Sequence, residues 1–157
     1  MIKKYRIKET GVMIVFFTWV LQLPLAALAQ DDISVIQGSY EVFYSAFNTS
    51  FISPEVASAA GIVRGRNKGL VNVSIVRYDD HGQRFPVKAL SIEGESYDLI
   101  YRNTLVFKEI VEQGARYYLA PFKISSDNEF IKFDVAVEPE GAEKPVELSF
   151  KRRFFKN

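Results

Sequence analysis

From Gln30 onward, apolar and polar side chains alternate in segment after segment, the period that sends neighbours to opposite faces of a strand. Tyr40 to Phe47 carries aromatic residues on both faces. From Leu70 to Tyr78, Val71, Val73 and Ile75 point one way and Asn72 and Ser74 the other. Asp79-Asp80-His81-Gly82 reads as a turn, since Asp tolerates turn geometry and Gly accepts positive φ. Val87 to Glu93 alternates again, with Pro86 at its start, where a missing N–H is tolerated. Ser96 to Tyr101 is a shorter candidate.

Leu105 to Glu112 and Ala115 to Phe122, joined by Gln113-Gly114, carry the best hairpin signal. The first arm is irregular. Leu105 and Phe107 share one face while Val106 and Ile110 share the other, which predicts a bulge or burial on both sides. Phe130 to Val137 sends Ile131, Phe133, Val135 and Val137 inward. Val146, Leu148 and Phe150 do the same in the last strand.

One short helix is predicted: Ser53 can cap it, Pro54 suits its first position, Glu55 its positive end, and Gly61 can close it. About seven short strands separated by turn signals make the fold all-β, an antiparallel β-sandwich of immunoglobulin-like architecture. The count favours a sandwich over a closed barrel. No βαβ alternation is present, which argues against a doubly wound parallel sheet.

The first residues follow another pattern. Lys3, Lys4, Arg6 and Lys8 precede an apolar run from Gly11 to Leu21, and Ala27-Leu28-Ala29 supplies the small-x-small pattern of a cleavage site before Gln30. Gln22 and Pro24 cut the run short of the roughly 20 apolar residues that a spanning helix needs. Residues 1–29 are therefore expected to be a secretory signal peptide helix, and 30–157 a single β-sandwich domain delivered to the periplasm. Membrane contact is expected only through the transient signal.

Cleavage would leave 128 residues with sixteen positive and eighteen negative charges, a net of −2, and would remove Trp19, Met1 and Met13. Charge balance excludes a polybasic nucleic-acid binder. With no cysteine, disulfides and thiolate chemistry are excluded, and one histidine, His81, leaves little for metal binding or a relay. No cofactor is expected.

His81 could act as a general base beside Asp79 and Asp80, but it reads better as a solvated turn tip. In Arg64-Gly65-Arg66-Asn67-Lys68-Gly69, three cations stand between glycines that could let backbone N–H groups converge. Arg64, Arg66, Asn67 and Lys68 form a candidate site for an anion or partner. The alternative is a solvated connection feeding the next strand. Glu93 with Glu95, and Glu109 with Glu112, are the carboxylate pairs a hydrolase would need, although spacing alone sets no distance between them. Asn48-Thr49-Ser50 and Asn72-Val73-Ser74 match a glycosylation sequon, relevant only in a glycosylating pathway. The terminal Lys151-Arg152-Arg153-Phe154-Phe155-Lys156-Asn157 is read as an edge strand whose rings enter the core, rather than as a membrane contact.

The stretch from Tyr40 to Phe51, then Ser53-Pro54-Glu55-Val56-Ala57, Gly61-Ile62-Val63-Arg64, Gly69 to Ser74 and Tyr117-Tyr118-Leu119-Ala120, resembles domain-of-unknown-function family 4426, small exported proteins of Gram-negative proteobacteria. The resemblance implies an exported β-rich domain and brings no catalytic residues. The expectation is a non-enzymatic periplasmic protein binding an envelope protein or an anionic envelope ligand. A carboxylate-dependent envelope hydrolase and a structural factor pairing through an edge strand are the alternatives.

Overall fold

The computed structural model describes residues 33–156. The predicted signal, with Ala27, Ala29 and Gln30, lies outside the described residues. Ten strands form two antiparallel sheets: β1 (Ser34–Gln37), β2 (Tyr40–Asn48), β3 (Lys68–Tyr78), β4 (Arg84–Pro86), β5 (Ala89–Tyr97), β6 (Arg102–Leu105), β7 (Lys108–Glu112), β8 (Ala115–Lys123), β9 (Glu129–Pro139) and β10 (Val146–Phe154). The larger sheet has the order β1-β2-β3-β8-β7, with β4 also on β3; the smaller runs β10-β9-β5-β6. Among the described residues no helix is long and apolar enough to cross a membrane.

The alternation builds the core directly. Val42 and Ala46 of β2, Val71, Val73 and Ile75 of β3, and Ala120 and Phe122 of β8 are buried against Ile131, Phe133, Val135 and Val137 of β9 and Val146, Leu148 and Phe154 of β10. At the centre Phe133 stacks on Phe150 at 4.9 Å between ring centres and meets Phe122 edge-on at 5.0 Å. Phe122 in turn meets Phe154 at 5.1 Å, and Tyr44 lies 4.5 Å from Phe150. Burial of one such ring contributes about 1.5–3 kcal/mol. The geometry between rings adds about 0.5–1.5 kcal/mol more.

The helix forms as its caps require. Helix α1 (Pro54–Ala60) begins at Ser53, whose Oγ accepts the Val56 N–H at 3.3 Å, and ends at Gly61 in the left-handed region at φ 67°. The Gln113-Gly114 turn is left-handed at both residues, as the two-residue hairpin demands.

The strand count is ten rather than about seven, because β1, β4 and β6 are too short to show a period. Pro86 closes β4 instead of opening the next strand. Residues 98–101, assigned by alternation to a strand, form the β5–β6 turn: Asp98 Oδ1 accepts the N–H groups of Ile100 and Tyr101 at 2.7 and 2.6 Å. The irregular arm between Leu105 and Glu112 has a cause the pattern could not show. There the chain leaves the smaller sheet after β6 and joins the larger one as β7, so Leu105 and Ile110 belong to different sheets. In the terminal segment Phe154 enters the core, while Phe155 remains exposed. Strand β10 is an edge of its sheet.

Candidate functional site

Residues 61–67 join α1 to β3, and a buried threonine shapes this loop. Thr49, in the 3-10 turn Thr49–Phe51 after β2, accepts the Gly65 N–H on Oγ1 at 3.0 Å and donates to the Lys68 carbonyl at 3.1 Å. Arg64 lies over the same turn, donating from Nε to the Thr49 carbonyl (3.4 Å) and from Nη2 to the Ser50 carbonyl (3.2 Å). The Lys68 N–H returns to the Gly65 carbonyl at 3.1 Å, and Ile124 N–H reaches the Asn67 carbonyl at 2.9 Å.

Of the loop's backbone N–H groups, expected to converge on an anion, those of Gly65 and Lys68 are engaged within the protein. Neither Gly65 nor Gly69 adopts positive φ. Gly69 is small for a packing reason, since a Cβ there would overlap Cζ, Cε1 and Cε2 of Phe122. The loop therefore offers charge through side chains: Arg64, Arg66 and Asn67 are exposed, and Lys68 is half-buried.

Lys68 belongs to a second feature, absent from the sequence pattern. On the outer face of the larger sheet lies a groove of about 610 Å³, with Leu70, Ile110, Leu119 and Pro121 among its lining. Ile62, Val63 and Val106 add further apolar surface, and Lys68, Lys108 and Lys123 supply its charge. No carboxylate lines it. Lys68 and Lys123 are directly opposed in the β3–β8 register, so both project from the same face. Like charges in that relation destabilise a sheet by a few tenths of a kcal/mol to about 1 kcal/mol. Among the described residues none of the three lysines has a carboxylate within ion-pair distance. Lys108 Nζ donates to the Ala60 carbonyl at the end of α1 (3.3 Å). Lys108 and Lys123 were invisible as site residues because strand pairing alone brings them beside Lys68.

Of the other chemical candidates, Glu93 and Glu112 are exposed on β5 and β7, and the rest are tied into the fold. His81 is exposed at the β3–β4 turn, its backbone N–H on Asp79 Oδ1 at 2.9 Å. Asn48 donates its side-chain amide to the Phe155 carbonyl at 2.6 Å, and Asn72 sits half-buried within β3. Glu95 accepts the Tyr97 hydroxyl at 3.0 Å and lies 3.4 Å from Arg102. Burial first, then hydrogen bonds to the Glu95 and Asp134 carboxylates, pushes the Tyr97 phenol up to about 12.

Arg116, 2.8 Å away, and then the Tyr118 hydroxyl hold Glu109 below the usual carboxylate range. Burial raises Asp98 and Asp134, but hydrogen bonds outweigh it: backbone N–H groups of Ile100 and Tyr101 at Asp98, and Ser149, Lys132 and Tyr97 at Asp134. Both end below their ordinary value. A hydrolytic pair needs one carboxyl group pushed the other way.

A depressed carboxylate contributes stability that is present above its unfolded value and is lost as pH falls through the folded one. With ordinary values of 3.8 for Asp98 and Asp134 and 4.5 for Glu109, stability is expected to be flat just above this range and to fall below it. Urea midpoints across an acid pH series check this. A midpoint that rises on acidification contradicts it.

The architecture is a small antiparallel β-sandwich with an apolar, lysine-bearing groove on one outer face. The chain belongs to the family described as Domain of unknown function (DUF4426), whose model matches residues 35–157. It is similar to the crystal structure of a DUF4426 family protein from Pseudomonas aeruginosa PAO1: 35% identical, covering 79% of this chain and 94% of that one, with a TM-score of 0.66. No curated protein matches the sequence.

Proposed function

We propose that this chain is an exported envelope protein that binds an anionic amphiphile, its alkyl chain in the groove beside loop 61–67 and its head among Lys68, Lys123 and Lys108. The observation that carries the reading is the opposed Lys68–Lys123 pair at an apolar groove without a carboxylate. An arrangement that costs the free protein stability is compensated when an anion bridges it. Alkyl groups displace water from Val106, Ile110 and Leu119, each buried methylene contributing about 0.8 kcal/mol. Arg66 and Arg64 lie on the adjoining loop and add attraction at longer range. Export rests on the basic, apolar and small-residue order of residues 1–29.

Replacing Arg64, Arg66 and Lys68 together with Ser would weaken capture and flatten its salt dependence. Arg64 also holds the Thr49–Ser50 carbonyls, however, so Lys68→Gln with Lys123→Gln is the cleaner test. With a fluorescent long-chain fatty acid as probe, the double variant should bind about tenfold or more weakly, on the order of 1.4 kcal/mol or above, while its melting temperature rises slightly because the opposed charges are gone. Equal affinity would sink the groove reading. Fractionation with intact-mass measurement checks export, which predicts periplasmic protein beginning at Gln30.

A further inference from the structure

The outer face of the smaller sheet is polarised along its strands. Register places Arg102, Tyr97, Lys132 and Lys151 in one row across all four strands, and Phe130 opposite Arg153 one step further toward the end. In the other direction the rows turn acidic, with Glu95 beside Asp134, then Glu93, Ala136 and Glu147. Lys132 and Lys151 are another directly opposed pair of like charges. The cations lie on rings: Lys151 Nζ and Arg153 Cζ stand 4.6 and 4.4 Å from the Phe130 ring centre, and Arg102 Cζ 4.4 Å from that of Tyr97. Arg102 and Lys132 also reach Glu95 (3.4 Å) and Asp134 (2.9 Å). Lys151 and Arg153 have no carboxylate within ion-pair distance among the described residues.

Beyond the basic row the β5–β6 turn raises an apolar tip. Leu99 is fully exposed, and Ile100 and Tyr101 are largely so. The tip is braced, because Asp98 accepts two of its N–H groups and donates its own to the Tyr101 carbonyl at 3.0 Å. Exposed Phe130 and Phe155 stand at the same end. The nearby acids are engaged with backbone: Asp98 as above, Asp127 with the Lys156 N–H, and Glu129 with the Ser125 N–H. Isolated exposed apolar residues are ordinary. A braced three-residue tip ringed by cations on aromatic faces is the pattern of a surface that enters a headgroup layer.

We propose that this end of the sandwich docks on an anionic bilayer surface. Leu99 and Ile100 enter the boundary between headgroups and acyl chains, while Lys151, Arg153, Lys132 and Arg102 meet headgroup phosphates. The acidic end of the same face points away from the bilayer, so the charge distribution orients the molecule tip-first. This contact is separate from residues 1–29 and from the groove, and loss of either leaves it standing.

The chain has no cysteine, so one introduced thiol gives a unique label. Ile100→Cys carrying an environment-sensitive fluorophore should shift to the blue with vesicles of phosphatidylethanolamine and phosphatidylglycerol. The same label at His81→Cys, at the opposite end of the sandwich, should not. Added salt should reverse the shift, and Lys151→Gln with Arg153→Gln should weaken vesicle affinity about tenfold or more while circular dichroism stays unchanged. Four outcomes overturn the proposal: no shift at position 100, an equal shift at both positions, an equal response to phosphatidylcholine vesicles, or charge variants that bind as before. A shift that grows with protein concentration in the absence of vesicles also overturns it, and assigns the tip to a second copy of the chain.

Discussion

Phe133→Ala is expected to lower stability by about 3–5 kcal/mol, the range for deleting a buried phenyl ring whose neighbours cannot close the space. Phe133 is fully buried and touches the rings of Phe150, Phe122 and Phe154, which come from β10 and β8. Those rings hold the two sheets together, so their relaxation into the void would separate the layers. For a domain of this size the loss corresponds to about 10–20 °C in melting temperature. Denaturant unfolding of both proteins measures it. A loss below about 1.5 kcal/mol would show that the core collapses around the gap and that Phe133 is not its keystone.

Gly69→Ala tests an opposed pair of effects. In a strand interior alanine is ordinarily better than glycine by about 0.5–1 kcal/mol, because glycine loses more backbone freedom on folding. Here the new methyl would overlap three ring carbons of Phe122. That ring cannot simply turn aside, since Phe133 and Phe154 pack edge-on against it. Overpacking costs about 1–3 kcal/mol, and three ring carbons this far inside contact distance put it at the top of that range, so after the alanine gain the net expectation is destabilisation by about 2 kcal/mol. The cause is specific, and a second substitution isolates it. In a Phe122→Leu background, which removes the blocking ring, Gly69→Ala should become neutral or stabilising. Additive effects of the two changes would show that the ring is not the obstacle.

Much of the chain was legible because its signals are local. The helix from Ser53 to Gly61 forms where its capping residues stand, and Gln113-Gly114 turns because Gly114 takes positive φ freely and Gln113 is drawn into the left-handed region beside it. The inward set Ile131, Phe133, Val135 and Val137 emerges from alternation alone. Alternation also misled at one place. Ser96 to Tyr101 has strand-like composition, yet Asp98 offers its carboxylate to the next backbone N–H groups and turns the chain. At Val106 and Phe107 the conflict between two faces recorded a passage from one sheet to the other, which looks like a bulge to any reading confined to neighbours along the chain.

The candidate site was legible only in part. Arg64, Arg66, Asn67 and Lys68 stood out as a basic loop between glycines. Their geometry came from Thr49, sixteen residues from Gly65 and noted in the sequence only as part of a sequon. Lys123, which faces Lys68, carried no signal at all.

Order along the chain was enough to settle the long strands and the faces they bury, where the helix is capped, and that thiol chemistry is absent; the short strands β1, β4 and β6 and the turn at 98–101 escaped it. It could not settle pairing. Whether Lys68 stands opposite Lys123, whether Arg102, Lys132 and Lys151 fall in one row, and whether Leu99 ends in the core or at a tip all depend on register between distant strands. Register is chosen by the packing of the whole core, because a one-residue slip would send every buried side chain of a strand to the opposite face.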